Sequence, residues 1–131
     1  MCIEELHKLW DKHNKGKAAP TEHSLQVACV NWFRLTFPLG IIYAVPNGAW
    51  CGYRQGRKLV SEGLVSGVPD LVIPMARKGF HALYIEMKNG KAGRVSDNQS
   101  EMMKRLVKEG NMCAVCRNFD QFRQIITNYF G

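Results

Sequence analysis

The sequence predicts an α/β domain whose elements run helix, strand, strand, strand, helix, strand, helix. Three observations carry that expectation. First, GVPDLVIP (67–74) and ALYIEMK (82–88) are apolar runs flanking Arg77-Lys78-Gly79, the pattern of two strands joined by a hairpin. Second, apolar residues recur at helical spacing before and after them, at Leu25, Cys29, Trp32 and Phe33 and again at Phe122, Ile125, Ile126 and Tyr129. Third, Ser96-Asp97-Asn98-Gln99 has capping-box spacing ahead of another periodic run that Gly110 closes.

The elements follow in order. Ile3, Leu6, Leu9 and Trp10 mark an N-terminal helical extension over residues 1–20, ahead of a single domain at 21–131. Thr21 is a suitable N-cap for a helix running to about Thr36, with Glu22 in its first turn. Glu22, Leu25, Gln26, Cys29, Trp32 and Phe33 share the face that packs on the domain. IIYAV (41–45) reads as a buried strand. Residues 46–58 read as a flexible loop carrying Trp50, Tyr53, Arg54, Arg57 and Lys58, and 59–64 as a short helical turn. The helix from Asp97 turns Gln99, Met103, Leu106 and Val107 inward, and MCAVC (112–116) is the last strand before a closing helix.

Composition sets the broad class. At 131 residues, 46% hydrophobic and 22% charged, the chain suits one globular domain with a real core. A net charge of +7 favours polyanionic partners, nucleic acid before anionic membrane. No apolar run is long enough for a membrane span and no signal-peptide h-region is present, so a cytoplasmic location is expected. The five cysteines are an odd, scattered set. Cys113-x-x-Cys116 lies in a strand, where an offset of three sends the sulfurs to opposite faces, and no second pair completes a zinc site. Buried free thiols are the expectation.

The chemistry concentrates at the hairpin. In the second strand Leu83, Ile85 and Met87 take one face, and Tyr84, Glu86 and Lys88 the other. If Asp70 lies across from Glu86, two carboxylates meet at a partly buried point. They repel by about 4 kcal/mol at about 4 Å and an effective dielectric near 20. A divalent cation held by oxygen ligands would offset that repulsion. Taken alone, Glu-x-Lys is also compatible with a solvated pair worth about 0.2–1 kcal/mol. Glu22 by itself is compatible with a hydrated helix start, and Gln99 with a capping-box partner of Ser96. The basic and aromatic residues of 46–58 suit either phosphate and base contacts or an ordinary surface loop.

Taken together, Glu22, Asp70, Glu86-x-Lys88 and Gln99 on those elements resemble the PD-(D/E)xK nuclease superfamily. GVPDLVIP, YIEMK and SDNQ resemble, more narrowly, its VRR-NUC (virus-type replication-repair nuclease) family, in the standalone form of phages and bacteria. The likeness covers roughly residues 20–125. It implies a restriction-endonuclease-like core: a central mixed four-stranded sheet flanked by helices, with N- and C-terminal helices added. It implies Mg²⁺ or Mn²⁺ at Asp70, Glu86 and the backbone carbonyl of Met87, with Glu22 binding directly or through water. Lys88 would orient or help deprotonate the attacking water, and Gln99 would position it or a ligand. The implied substrate is branched DNA, Holliday-junction-like four-way junctions first, gripped by Arg54, Arg57, Lys58, Lys91 and Arg94 and cut by a homodimer in a bacterial or phage-infected cell. Two other readings stay open. One is a flap, nick or sequence-reading nuclease of the same superfamily; the other is a non-catalytic DNA-binding module with this fold.

Overall fold

The computed structural model describes residues 21–46 and 53–131, together with Glu5 and Lys8. Of the helical extension expected over residues 1–20, Glu5 and Lys8 are helical, and the remainder, like Trp50 and Cys51, lies outside the described residues. The described chain forms α1 (Glu22–Thr36), β1 (Tyr43–Ala44), α2 (Tyr53–Ser61), β2 (Leu71–Ile73), β3 (Leu83–Met87), α3 (Asp97–Lys108), β4 (Met112–Cys116) and α4 (Phe119–Phe130). The four strands lie in the order β1-β2-β3-β4. β1/β2 and β2/β3 are antiparallel and β3/β4 parallel, which makes the mixed sheet expected.

β3 sits between two partners for a physical reason. Its apolar face, Leu83, Ile85 and Met87, is wholly buried and packs with Leu71 and Ile73 of β2 and Cys116 of β4. On that face lie Leu25, Cys29, Trp32 and Phe33 of α1 and Phe119, Phe122, Ile126 and Tyr129 of α4. Trp32 makes edge-on contacts with Phe119 and Phe122, with ring centroids 6.2 and 5.9 Å apart. The Tyr129 hydroxyl donates to the Met75 carbonyl at 2.6 Å, so this polar tip is satisfied within the layer. The hairpin turn forms at Arg77–Phe80, with Lys78 and Gly79 both at positive φ.

Three expectations about the elements need correction. Residues 41–45 are not a buried strand: the ladder is Tyr43–Ala44 alone, both exposed, and only Ile42 enters the core. Among the described residues β1 is an edge strand, so an apolar sequence there has no sheet neighbour on one side. The stretch 53–58 is helical rather than loop, and α2 replaces the short turn placed at 59–64. Gln55, Arg57, Lys58 and Leu59 are good helix formers, and Gly56 has open space around its Cα. In α3 no side chain is fully buried, and Val107 is exposed rather than inward. That helix covers only part of the sheet face that carries Tyr84 and Glu86.

Among the described residues no helix is long and apolar enough to cross a membrane. Cys29, Cys113 and Cys116 are free thiols. Cys116 is in the core, whereas Cys113 points the other way, its Sγ 3.7 Å from the Met103 carbonyl, as the strand offset requires.

Candidate active site

Asp70 is fixed before its chemistry begins. The residue precedes β2, its carbonyl accepts from Val45 N at 2.8 Å, and its Oδ2 accepts from Met87 N at 2.8 Å. Buried Pro69 and Gly67 set the approach. Gly67 has φ +89, and a Cβ there would lie 2.6 Å from the Asn98 carbonyl oxygen. Only glycine lets the segment ahead of Asp70 press this closely on the first turn of α3.

Glu86 is held from three sides. It is 1% exposed, a charged residue type inside the fold. Its Oε1 accepts from Gln99 Nε2 at 2.8 Å and lies 3.5 Å from Lys88 Nζ, itself on a side chain only 13% exposed. Lys88 is anchored through its backbone N–H, which donates to the Cys116 carbonyl at 2.9 Å. The Glu86 carboxyl is also within hydrogen-bonding reach of Asp70. Its Oε2 is buried without a hydrogen-bond partner among the described residues.

Gln99 fills both of its expected roles at once. Its Oε1 accepts from Ser96 N at 2.9 Å, closing the capping box, while its Nε2 turns to Glu86. The amide's two ends therefore tie the start of α3 to the acid on β3. Glu22 stands at the rim: it is exposed in the first turn of α1, yet the fields of both Asp70 and Lys88 reach it.

The electrostatics follow from burial. Desolvation first, then the charge of Asp70 and the hydrogen bond to it, push Glu86 up from 4.5 to about 8, with Lys88 pulling the other way. Glu22 is raised by burial and then by Asp70, and Lys88 opposes both. The structure thus gathers Glu22, Asp70, Glu86, Lys88 and Gln99 into one locality.

The donor set suits a hard divalent cation. The protein commits one oxygen of each central carboxylate: Asp70 Oδ2 to Met87, and Glu86 Oε1 to Gln99 and Lys88. Glu86 Oε2, buried and without a donor among the described residues, is left for an electropositive partner. Among the described residues, however, no three His, Cys, Asp or Glu side chains are grouped to hold an ion. Glu22 lies near enough to Asp70 for their charges to interact, and its expected role stays as direct or water-mediated binding.

The expected DNA contacts divide into two groups. Arg54, Arg57 and Lys58 are exposed on α2, and Lys58 pairs with Glu62 at 4.0 Å. Lys91 and Arg94 are exposed on the loop after Lys88. That loop is tethered by Arg117, whose guanidinium donates to the carbonyls of Gly90 and Gly93, and Gly93 packs on the Lys88 side chain. Arg117 gives no sign in the sequence, because its partners are main-chain carbonyls.

Two grooves meet at Asp70. One, of about 380 Å³, runs between Val60 and Leu64 on one side and Ser96 and Gln99 on the other. The second, of about 600 Å³, runs between α1 and β1 past Glu22, Gln26, Asn31, Arg34 and Tyr43. Val45, Pro46 and Asp70 line both.

The VRR-NUC domain matches residues 17–120. The chain belongs to the VRR-NUC family. A solved structure described as a VRR_NUC domain protein is similar to it, at 26% identity and a TM-score of 0.71, covering 86% of this chain and 89% of that one. No curated protein is similar enough to add a relative. VRR-NUC domains are nucleases of the PD-(D/E)xK type, so the chain is a nuclease domain with DNA as its substrate, and such nucleases generally use divalent metal ions.

Proposed function

We propose that this chain is a Mg²⁺- or Mn²⁺-dependent, structure-selective endonuclease that hydrolyses phosphodiester bonds in branched DNA, four-way junctions of the Holliday type first. The observation that supports the catalytic reading is the carboxyl pair Asp70–Glu86, with a buried Oε2 that no donor among the described residues satisfies and the Lys88 ammonium 3.5 Å from Oε1. Asp70, Glu86 and the backbone carbonyl of Met87 would hold the ion, and Glu22 would bind it directly or through water. A divalent ion there supplies charge stabilisation at the scissile phosphate and lowers the pKa of a bound water.

The chain's own residues do the rest. Lys88 places a positive charge beside the acids, where it orients the attacking water or stabilises charge developing on the phosphate. Gln99 fixes the Glu86 carboxyl through one amide end and is itself fixed by the capping box through the other. Arg54, Arg57, Lys58, Lys91 and Arg94 bind phosphates on either side, and the net charge of +7 favours that contact. Residues 1–20 form an extension ahead of the nuclease domain at 21–131. Two copies related by a two-fold axis suit paired cuts in a four-way junction, so the working unit is a homodimer, acting in the cytoplasm of a bacterium or phage-infected cell.

The test is cleavage of a labelled four-way junction, a flap and a plain duplex, each with Mg²⁺, Mn²⁺ or EDTA. Junction cutting that EDTA abolishes is the expected result. Preferential flap cutting would replace the junction assignment, and cleavage undiminished in EDTA would end the metal reading.

A further inference from the structure

The groove between α1 and β1 leads away from Asp70. Along α1, His23, Gln26, Val27, Val30 and Arg34 line the groove, with Glu22 and Asn31 at its two flanks. From Glu22 to Arg34 the helix rises about 18 Å at 1.5 Å per residue, long enough to border several nucleotides of a single strand. The opposite wall is the sheet edge, where the Tyr43 side chain is 50% exposed. The groove begins at the acids, with Glu22 and Asp70 at one end, and Arg34 stands toward the other. Arg34 is exposed and makes no ion pair among the described residues, unlike Lys58, Lys88, Lys104 and Arg123.

We infer that this groove is a track for one separated strand of the substrate leading away from the cut, with Tyr43 stacking on an unpaired base and Arg34 contacting a phosphate. The inference rests on the nuclease reading and adds the substrate feature that reading lacks: single-stranded character next to the scissile phosphate. The residue types support it. An exposed aromatic gives sequence-tolerant stacking, Asn31 and Gln26 offer amide groups to base edges, and a guanidinium outside any ion pair suits a phosphate oxygen. Among the described residues, one edge strand and one helix border the trench, an arrangement suited to a single strand.

The test measures binding in EDTA, so that cleavage does not enter. Fluorescence anisotropy with a forked duplex, a single strand and a blunt duplex is run for wild type, Tyr43→Ser, Tyr43→Phe and Arg34→Gln. Tyr43→Ser should weaken binding about tenfold on the fork and single strand while keeping its blunt-duplex affinity, and Tyr43→Phe should restore it. Arg34→Gln should reduce the salt slope on single strand by about 0.7, the share of one phosphate. Equal weakening on fork and blunt duplex, or none on either, would overturn the track. So would a fall in molar mass of Tyr43→Ser by light scattering, which would assign this face to a second copy of the chain. Failure of the active-site reading looks different: Asp70→Asn would then still cut, whatever the Tyr43 variants do.

Discussion

Replacing Glu86 with glutamine should stabilise the metal-free protein, progressively more as pH rises from about 5 to about 8. The carboxyl is 1% exposed, its Oε2 has no donor among the described residues, and burial together with Asp70 raises its pKa from 4.5 to about 8. A carboxyl that titrates higher folded than unfolded binds its proton more tightly in the fold. Its contribution is therefore fully present below about pH 4.5 and is lost as pH rises through about 8. At 1.36 kcal/mol per pH unit, the interval from 4.5 to about 8 sets a ceiling of about 5 kcal/mol. The neutral amide also gives up the charge-assisted contacts that the carboxylate makes with Gln99 and Lys88, so roughly 2 kcal/mol is the expected gain for the isostere. For a domain of this size that is a rise of about 8 °C in Tm near pH 9, against almost none near pH 5. Thermal melts followed by circular dichroism in EDTA, at about pH 5, 7 and 9, read it directly. Added Mg²⁺ should raise the wild-type Tm at the alkaline end and barely move the variant. A wild-type melt that is flat from about pH 5 to 9, or equal destabilisation of the variant at every pH, would refute the account of Glu86 as an under-satisfied buried acid.

Further outcomes follow from the same geometry. Asp70→Asn should abolish junction cleavage while leaving junction binding within about twofold in gel shifts, since the substitution leaves the proposed phosphate contacts of the basic residues untouched and the asparagine Oδ1 can still accept from Met87 N. Gly67→Ala should destabilise by about 1–3 kcal/mol in urea unfolding, because φ +89 and a Cβ 2.6 Å from the Asn98 carbonyl oxygen are both unfavourable, and it should lower cleavage by displacing Gln99. Neutralising Arg54, Arg57 and Lys58 together should flatten the salt dependence of duplex binding by about 0.9 for each phosphate these side chains neutralise. Ile85→Ala should cost about 2–5 kcal/mol, since that side chain is fully buried at the centre of the sheet.

Much of this was legible because the chemistry sits on strong local signals. The alternation of Leu83, Ile85 and Met87 against Tyr84, Glu86 and Lys88 is a property of any strand, so the face bearing Glu86 and Lys88 could be read without coordinates. Thr21 and Ser96 declared their helix starts through side chains that do accept from Ser24 N and Gln99 N. The misreadings have a common cause: each depended on what lay beside the segment rather than within it. IIYAV is apolar enough for a central strand, but β1 ended at the sheet edge, where Tyr43 is exposed. PNGAWCGYRQGRK contains turn residues, yet its second half is helical. Arg117 was illegible for a different reason: nothing in the sequence marks which carbonyls an arginine will meet.

The edge position of β1 ties the fold to the site. A central strand would have its second side covered by another strand, and the groove beside α1 would be closed. Because the sheet, among the described residues, stops at Tyr43–Ala44, the carbonyl of Asp70 is pinned by Val45 while the space beyond remains open toward Arg34. The same termination that defeats a sequence reading of IIYAV thus opens a path from the carboxylates to solvent. Burial of Glu86 and exposure of Tyr43 are then complementary in the proposed mechanism: a desolvated acid would strengthen its hold on a cation, while the groove beside it would receive the strand.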